Sequence, residues 1–128
     1  PFPWHFGGQR YQNLFILPDE IVEAAPKLGL RICLDVSHTK LAATQFGFDF
    51  LAGVATLGPH VAHLHLGDAA GVDGEGLQVG EGEIDFDRLG QVLDRASPGV
   101  PFIPEIWQGH KDDGAGFWFA LEQLEEWF

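Results

Sequence analysis

Three short apolar runs set the limits on how this chain folds. They lie at residues 30–34, 61–66 and 100–106, and stretches of helical character separate them. Strand-sized runs alternating with helices point to an α/β fold with a parallel sheet, because parallel strands need a long crossover that is usually helical. The runs are short and apolar, the pattern of strands covered on both faces.

The helical stretches carry their own start and stop signals. Pro18, Asp19 and Glu20 open the first one, with acids placed where the helix dipole favours them, and Pro26 and Gly29 mark its end. A second spans residues 39–57, with Gly47 as its weak point. Asp85 reads as an N-cap, with Ile84 and Leu89 at hydrophobic-staple spacing, and that helix runs to about Ala96 before Ser97-Pro98-Gly99. Phe117, Ala120, Leu121, Leu124, Trp127 and Phe128 recur with helical period and predict a final amphipathic helix. Residues 1–17, aromatic and glycine-rich, read as a loop, as do the glycine-rich residues 67–83.

With 128 residues, 45% of them hydrophobic, the chain is sized for one domain over residues 1–128 with a real core. Only 7 Lys and Arg stand against 19 Asp and Glu, a formal net charge of −12. A broad basic face cannot be built from so few cations, which argues against DNA, RNA and anionic membranes as partners. No apolar run approaches the roughly 20 residues that span a bilayer, and with no basic stretch leading into an apolar one at the start, no signal peptide is expected. The one cysteine, Cys33, sits within an apolar run and is expected to be a buried, inert thiol, which suits a reducing cytoplasm.

Each apolar run ends in chemistry-bearing residues. The first delivers Asp35 and His38, the second His63, His65 and Asp68, and the third Glu105. In parallel α/β folds, chemistry gathers at the carboxyl ends of the strands. Two carboxylates and an imidazole make a hard to borderline donor set, suited to Mn²⁺, Mg²⁺, Zn²⁺ or Fe²⁺. Plainer readings stand beside this one. An Asp just past a strand is often a helix cap, and a strand histidine is often a hydrogen-bonded structural residue. Glu105, between Pro104 and Ile106, is harder to explain that way, since an acid in an apolar strand end is costly unless paired or metal-bound.

Four segments, "LDVSHTK", "HVAHLHLGDA", "VGEGEIDF" and "FIPEI", occur in this order and resemble the xylose-isomerase-like TIM-barrel superfamily. That superfamily includes sugar isomerases and epimerases and endonuclease IV-like AP endonucleases. The resemblance spans nearly the whole chain. It implies that Asp35, His65 and Glu105 ligate one divalent metal ion (Mn, Mg, Zn or Co). It also implies that His38 assists the metal or contacts substrate, and that Glu105 is the base that moves a proton next to a carbonyl. Asp68, Trp107, His110 and Lys111 are the further candidates for contact with a sugar or sugar phosphate. Trp4, His5 and Phe6 are candidates for a pocket wall or for core residues.

Two departures qualify the resemblance. A barrel of this kind has eight strands and about 250 residues, whereas three strands are evident here. In the family a fourth ligand, a glutamate, closely precedes a loop like "GGQRYQNL". Here that loop begins at Gly7 and no acid precedes Asp19. The expectation is therefore a partial (β/α) TIM barrel, the carboxyl-terminal half, with three to four parallel strands and flanking helices. The Pro1 start also suggests a fragment. Second, the extra Asp and His that hold additional zinc ions in the endonuclease-like members fall at Gly74 and Gly76, with Asp73 and Glu75 nearby but offset. A sugar or sugar-phosphate isomerase or epimerase is thus favoured over a nuclease. A catalytically inert structural or carbohydrate-binding remnant is the other alternative. A half barrel leaves an open edge, so self-association is expected.

Overall fold

The computed structural model describes residues 1–3 and 13–128. Trp4, His5, Phe6 and most of the "GGQRYQNL" loop lie outside the described residues. Helix α1 (Pro18–Leu28) starts with proline at its first position, where a missing N–H costs nothing. The Glu20 carboxylate accepts from the N–H groups of Ile16 and Leu17, both at 3.1 Å. Strand β1 (Ile32–Asp35) leads directly into helix α2 (Val36–Phe46).

The helix expected over residues 39–57 is two helices. Gly47 takes a left-handed conformation (φ 75°) and closes α2, and Asp49 caps α3 (Phe50–Leu57) by accepting from the Ala52 N–H at 2.7 Å. A left-handed residue ends a helix, and glycine adopts that conformation without a Cβ penalty. A single 3₁₀ turn (Gly58–His60) then feeds strand β2 (Val61–Leu66).

Residues 67–83, expected to be a loop, contain an antiparallel hairpin of β3 (Asp68–Ala70) and β4 (Gly74–Leu77). Helix α4 (Phe86–Ala96) is capped by Asp85, as expected, and Ile84 and Leu89 are both buried. Strand β5 (Phe102–Pro104) precedes α5 (Lys111–Leu124). Residues 112–114 of α5 are not helical, so the regular helix begins after Gly114.

Strands β1, β2 and β5 form one parallel sheet in the order β1-β2-β5. Side chains alternate along each strand. Leu34, Leu64 and Leu66 point to one face, where they join Leu41, Val54, Leu57, Leu89, Leu93 and Leu124 in a single buried cluster. The helices supply that layer. The opposite face carries Cys33, His63 and Ile103, of which Cys33 and Ile103 are exposed and His63 is half-buried. The reading of Cys33 as a buried thiol is corrected, because Cys33 is exposed. The sheet does not close into a barrel. No helix among the described residues is long and apolar enough to cross a membrane.

Candidate metal centre

The strand register brings the candidate ligands together. Asp35 and His65 are partners across the β1–β2 ladder, and His65 is in turn the partner of Ile103. Glu105 lies two residues beyond Ile103, on the same face by the alternation of an extended chain. Its N–H donates to the Leu66 carbonyl at 2.9 Å, which keeps the chain beside β2 for one more step. Three neighbouring parallel strands thus present an acid, an imidazole and an acid at their carboxyl ends. One ligand atom from each of Asp35, His65 and Glu105 can be chosen so that all lie within 4.8 Å of one another.

The donor set fits a divalent cation. Two carboxylates and a neutral imidazole place two negative charges in a small volume, and a dication offsets that repulsion. His65 Nδ1 already pairs with Glu105 Oε2 at 2.5 Å. His63 stacks edge-on against His65 with ring centroids 5.5 Å apart, steadying the imidazole from below. The Glu105 side chain is 55% exposed, so it reaches into the open mouth of the site.

Asp35 also caps a helix. Its Oδ1 accepts from the His38 N–H at 3.0 Å and caps α2. The cap and the ligand readings of this residue are therefore compatible, because a carboxylate has two oxygens and about four acceptor sites. Thr39 Oγ1 donates to the Asp35 carbonyl at 2.7 Å and tightens the same turn.

A cleft of about 470 Å³ opens beside the cluster, within the usual size range for small-ligand sites. Asp35, His38, Glu75, Glu105, Trp107 and His110 are among its lining residues. Trp107 is 72% exposed at its edge. Lys111 does not line the cleft; its ammonium donates to Gln108 Oε1 at 2.8 Å on the same loop.

The expectation that Asp68 contacts substrate is corrected. Its side chain is fully buried. Oδ1 accepts from the N–H groups of Ala69 (2.8 Å) and Ile84 (3.0 Å), and Oδ2 from those of Gly80 (3.0 Å) and Gly82 (2.8 Å). The four donors satisfy the carboxylate internally and wrap the Gly80-Glu81-Gly82 turn around it. A Cβ at Gly82 would sit 2.3 Å from Asp68 Oδ1 and 2.6 Å from the Ala69 carbonyl oxygen, so the turn needs glycine there.

Two residues at the site escaped the sequence reading. Ser37, buried, accepts from the Gly76 N–H at 2.9 Å and donates to the Asp68 carbonyl at 3.3 Å, tying the hairpin to α2. Glu75, on β4, pairs through Oε2 with His38 Nε2 at 2.6 Å. The only signal for Glu75 was an acid set between two glycines near the expected positions of extra ligands. For Ser37 no local signal existed.

No curated protein matches the chain. The family model described as "Xylose isomerase-like TIM barrel" matches residues 3–125. With the match covering nearly the whole sequence, and a parallel sheet presenting its polar residues at the strand ends, the chain belongs to the xylose isomerase-like TIM-barrel family.

Proposed function

We propose that this chain holds one divalent cation at Asp35, His65 and Glu105 and serves the isomerisation or epimerisation of a small sugar or sugar phosphate. The observation that carries this proposal is the convergence of three ligand atoms within 4.8 Å at the carboxyl ends of three parallel strands. A bound cation supplies Lewis-acid polarisation of a substrate carbonyl oxygen. Glu105, half-exposed at the cleft, is the group placed to take the proton next to that carbonyl. His38, on the rim, orients a substrate oxygen. Trp107 offers an apolar ring to the C–H face of a sugar, and His110 and Lys111 lie on the same loop as polar or cationic partners for a hydroxyl or phosphate.

Two alternatives stand. An inert remnant is favoured by the three candidate ligands found among the described residues, one fewer than the resemblance implies, of which Glu105 is half-exposed. An AP endonuclease is disfavoured by the net charge of −12, which opposes a polyanionic substrate. Calorimetric titration with Mn²⁺ or Zn²⁺ separates the first alternative. Stoichiometric binding that is lost in Glu105→Ala supports the metal centre, and no binding by the unmodified chain sinks it. Incubating the metal-loaded protein in D₂O with a panel of ketoses, aldoses and their phosphates then tests the reaction. Deuterium entering at the carbon next to the carbonyl is the expected result. Cleavage of an abasic-site oligonucleotide instead would replace the isomerase proposal with the nuclease.

A further inference from the structure

We propose that Glu75 is a positioning residue for His38, holding its imidazole in the form that carries a proton on Nε2, given to Glu75 in a hydrogen bond, and leaves Nδ1 as the ring's acceptor. An ionised carboxylate has lone pairs and no proton to give. A 2.6 Å contact between Glu75 Oε2 and His38 Nε2 is therefore a hydrogen bond only when Nε2 is protonated. In the neutral ring Nδ1 is left as the acceptor, which makes the two ring nitrogens unequal.

The surrounding structure holds both partners in place. Residues 37 and 38 face residues 75 and 76 as adjacent pairs. Ser37 Oγ bonds the Gly76 N–H, and one residue along His38 bonds Glu75. The Gly76 carbonyl accepts from the Trp107 N–H at 2.7 Å, so the hairpin is anchored to the loop after β5 on its other side. His38 has its own backbone N–H on Asp35, and its ring lies against Phe2 with centroids 4.8 Å apart. The two side chains are only 23% and 29% exposed, so the hydrogen bond is partly shielded from competing water. A nitrogen that donates to Glu75 cannot at the same time ligate a cation. Glu75 thereby keeps the Nε2 of His38 from serving as a ligand to the proposed cation. This last consequence rests on the proposed metal centre; the tautomer does not.

The test is a long-range ¹H–¹⁵N correlation spectrum of the ¹⁵N-labelled chain, at a pH where the imidazoles are neutral, with His38 assigned from a His38→Gln variant. A protonated Nε2 and a bare Nδ1 are expected for His38. Glu75→Gln presents an amide that either donates or accepts, so the preference should be lost and the two nitrogen signals should move toward each other. Glu75→Asp, with a carboxylate one methylene shorter, should restore part of it. Proton on Nδ1 in the unmodified chain, or unchanged His38 nitrogen shifts in Glu75→Gln, would overturn the proposal. A parallel Mn²⁺ titration of Glu75→Gln should give binding at least as tight as that of the unmodified chain. Lost affinity there would make Glu75 a ligand and also overturn it. Failure of the unmodified chain to bind any cation would remove the proposed function while leaving the spectrum decisive.

Discussion

Asp68 and Glu105 are both acids just past the apolar core of a strand, yet they are used in opposite ways. Asp68 follows β2 by two residues and disappears into the fold, where four backbone N–H groups consume its oxygens. Glu105 follows β5 by one residue and stays half-exposed, with Oε2 shared only with His65 among its described partners. The difference teaches that an acid at a strand end is available for chemistry only if the chain that follows does not fold back to satisfy it. After β2 the chain returns as a glycine-rich turn with bare N–H groups. After β5 it leaves through Trp107 toward α5.

The comparison can be broken most severely at Asp68. Replacing it with alanine strands four backbone donors, two of them buried and two partly buried, and Asp68→Ala should destabilise the fold by about 3–4 kcal/mol, read as a lower urea midpoint. Glu105→Ala should cost almost nothing by the same measurement. Equal losses for the two would erase the distinction.

The next largest effect is on metal. Asp35→Asn keeps an N-cap but removes a charged ligand, so the stability should hold while Mn²⁺ affinity falls by more than about a hundredfold. Asp35→Ala should lose the affinity and, in addition, about 1 kcal/mol for the missing cap. Elemental analysis with equilibrium unfolding separates the cap from the proposed ligand role of that carboxylate. Unchanged metal content in both variants would strip Asp35 and its neighbours of the ligand role.

A smaller effect sharpens the Asp68 side. Gly82→Ala drives a methyl group into the Asp68 carboxylate and the Ala69 carbonyl oxygen, and a loss of about 2 kcal/mol is expected, short of that for Asp68→Ala. Combining the two should give less than the sum, since both act on one turn.

The smallest effect concerns Cys33, on the sheet face opposite the buried leucines. Partial burial, followed by the charges of Asp35 and Glu105, holds its thiol above the ordinary range. A raised value means less thiolate at pH 8, so maleimide labelling of the native chain should proceed, but more slowly than for a free cysteine. The rate should keep rising at a pH where an ordinary thiol has levelled off. Labelling as fast as a free thiol at pH 8 would contradict the influence of the two acids.

What the sequence by itself determined is local. Pro18 at a helix start, Asp85 as a cap, the extent of β2 and the α/β alternation follow from rules that act within a few residues. That polar residues gather at the carboxyl ends of the strands was also legible, but the choice of Asp35, His65 and Glu105 from among Asp35, His38, His63, His65, Asp68 and Glu105 came from the resemblance to the barrel family. Tertiary structure decided the rest. Whether Asp68 was free depended on N–H groups 12 to 16 residues further along. Whether Cys33 was buried depended on what covers a sheet face, and the partner of His38 came from a hairpin 37 residues away. The physical reason is the same in each case. A polar group's role is set by which donors, acceptors and charges reach it in space, and folding selects those from distant parts of the chain.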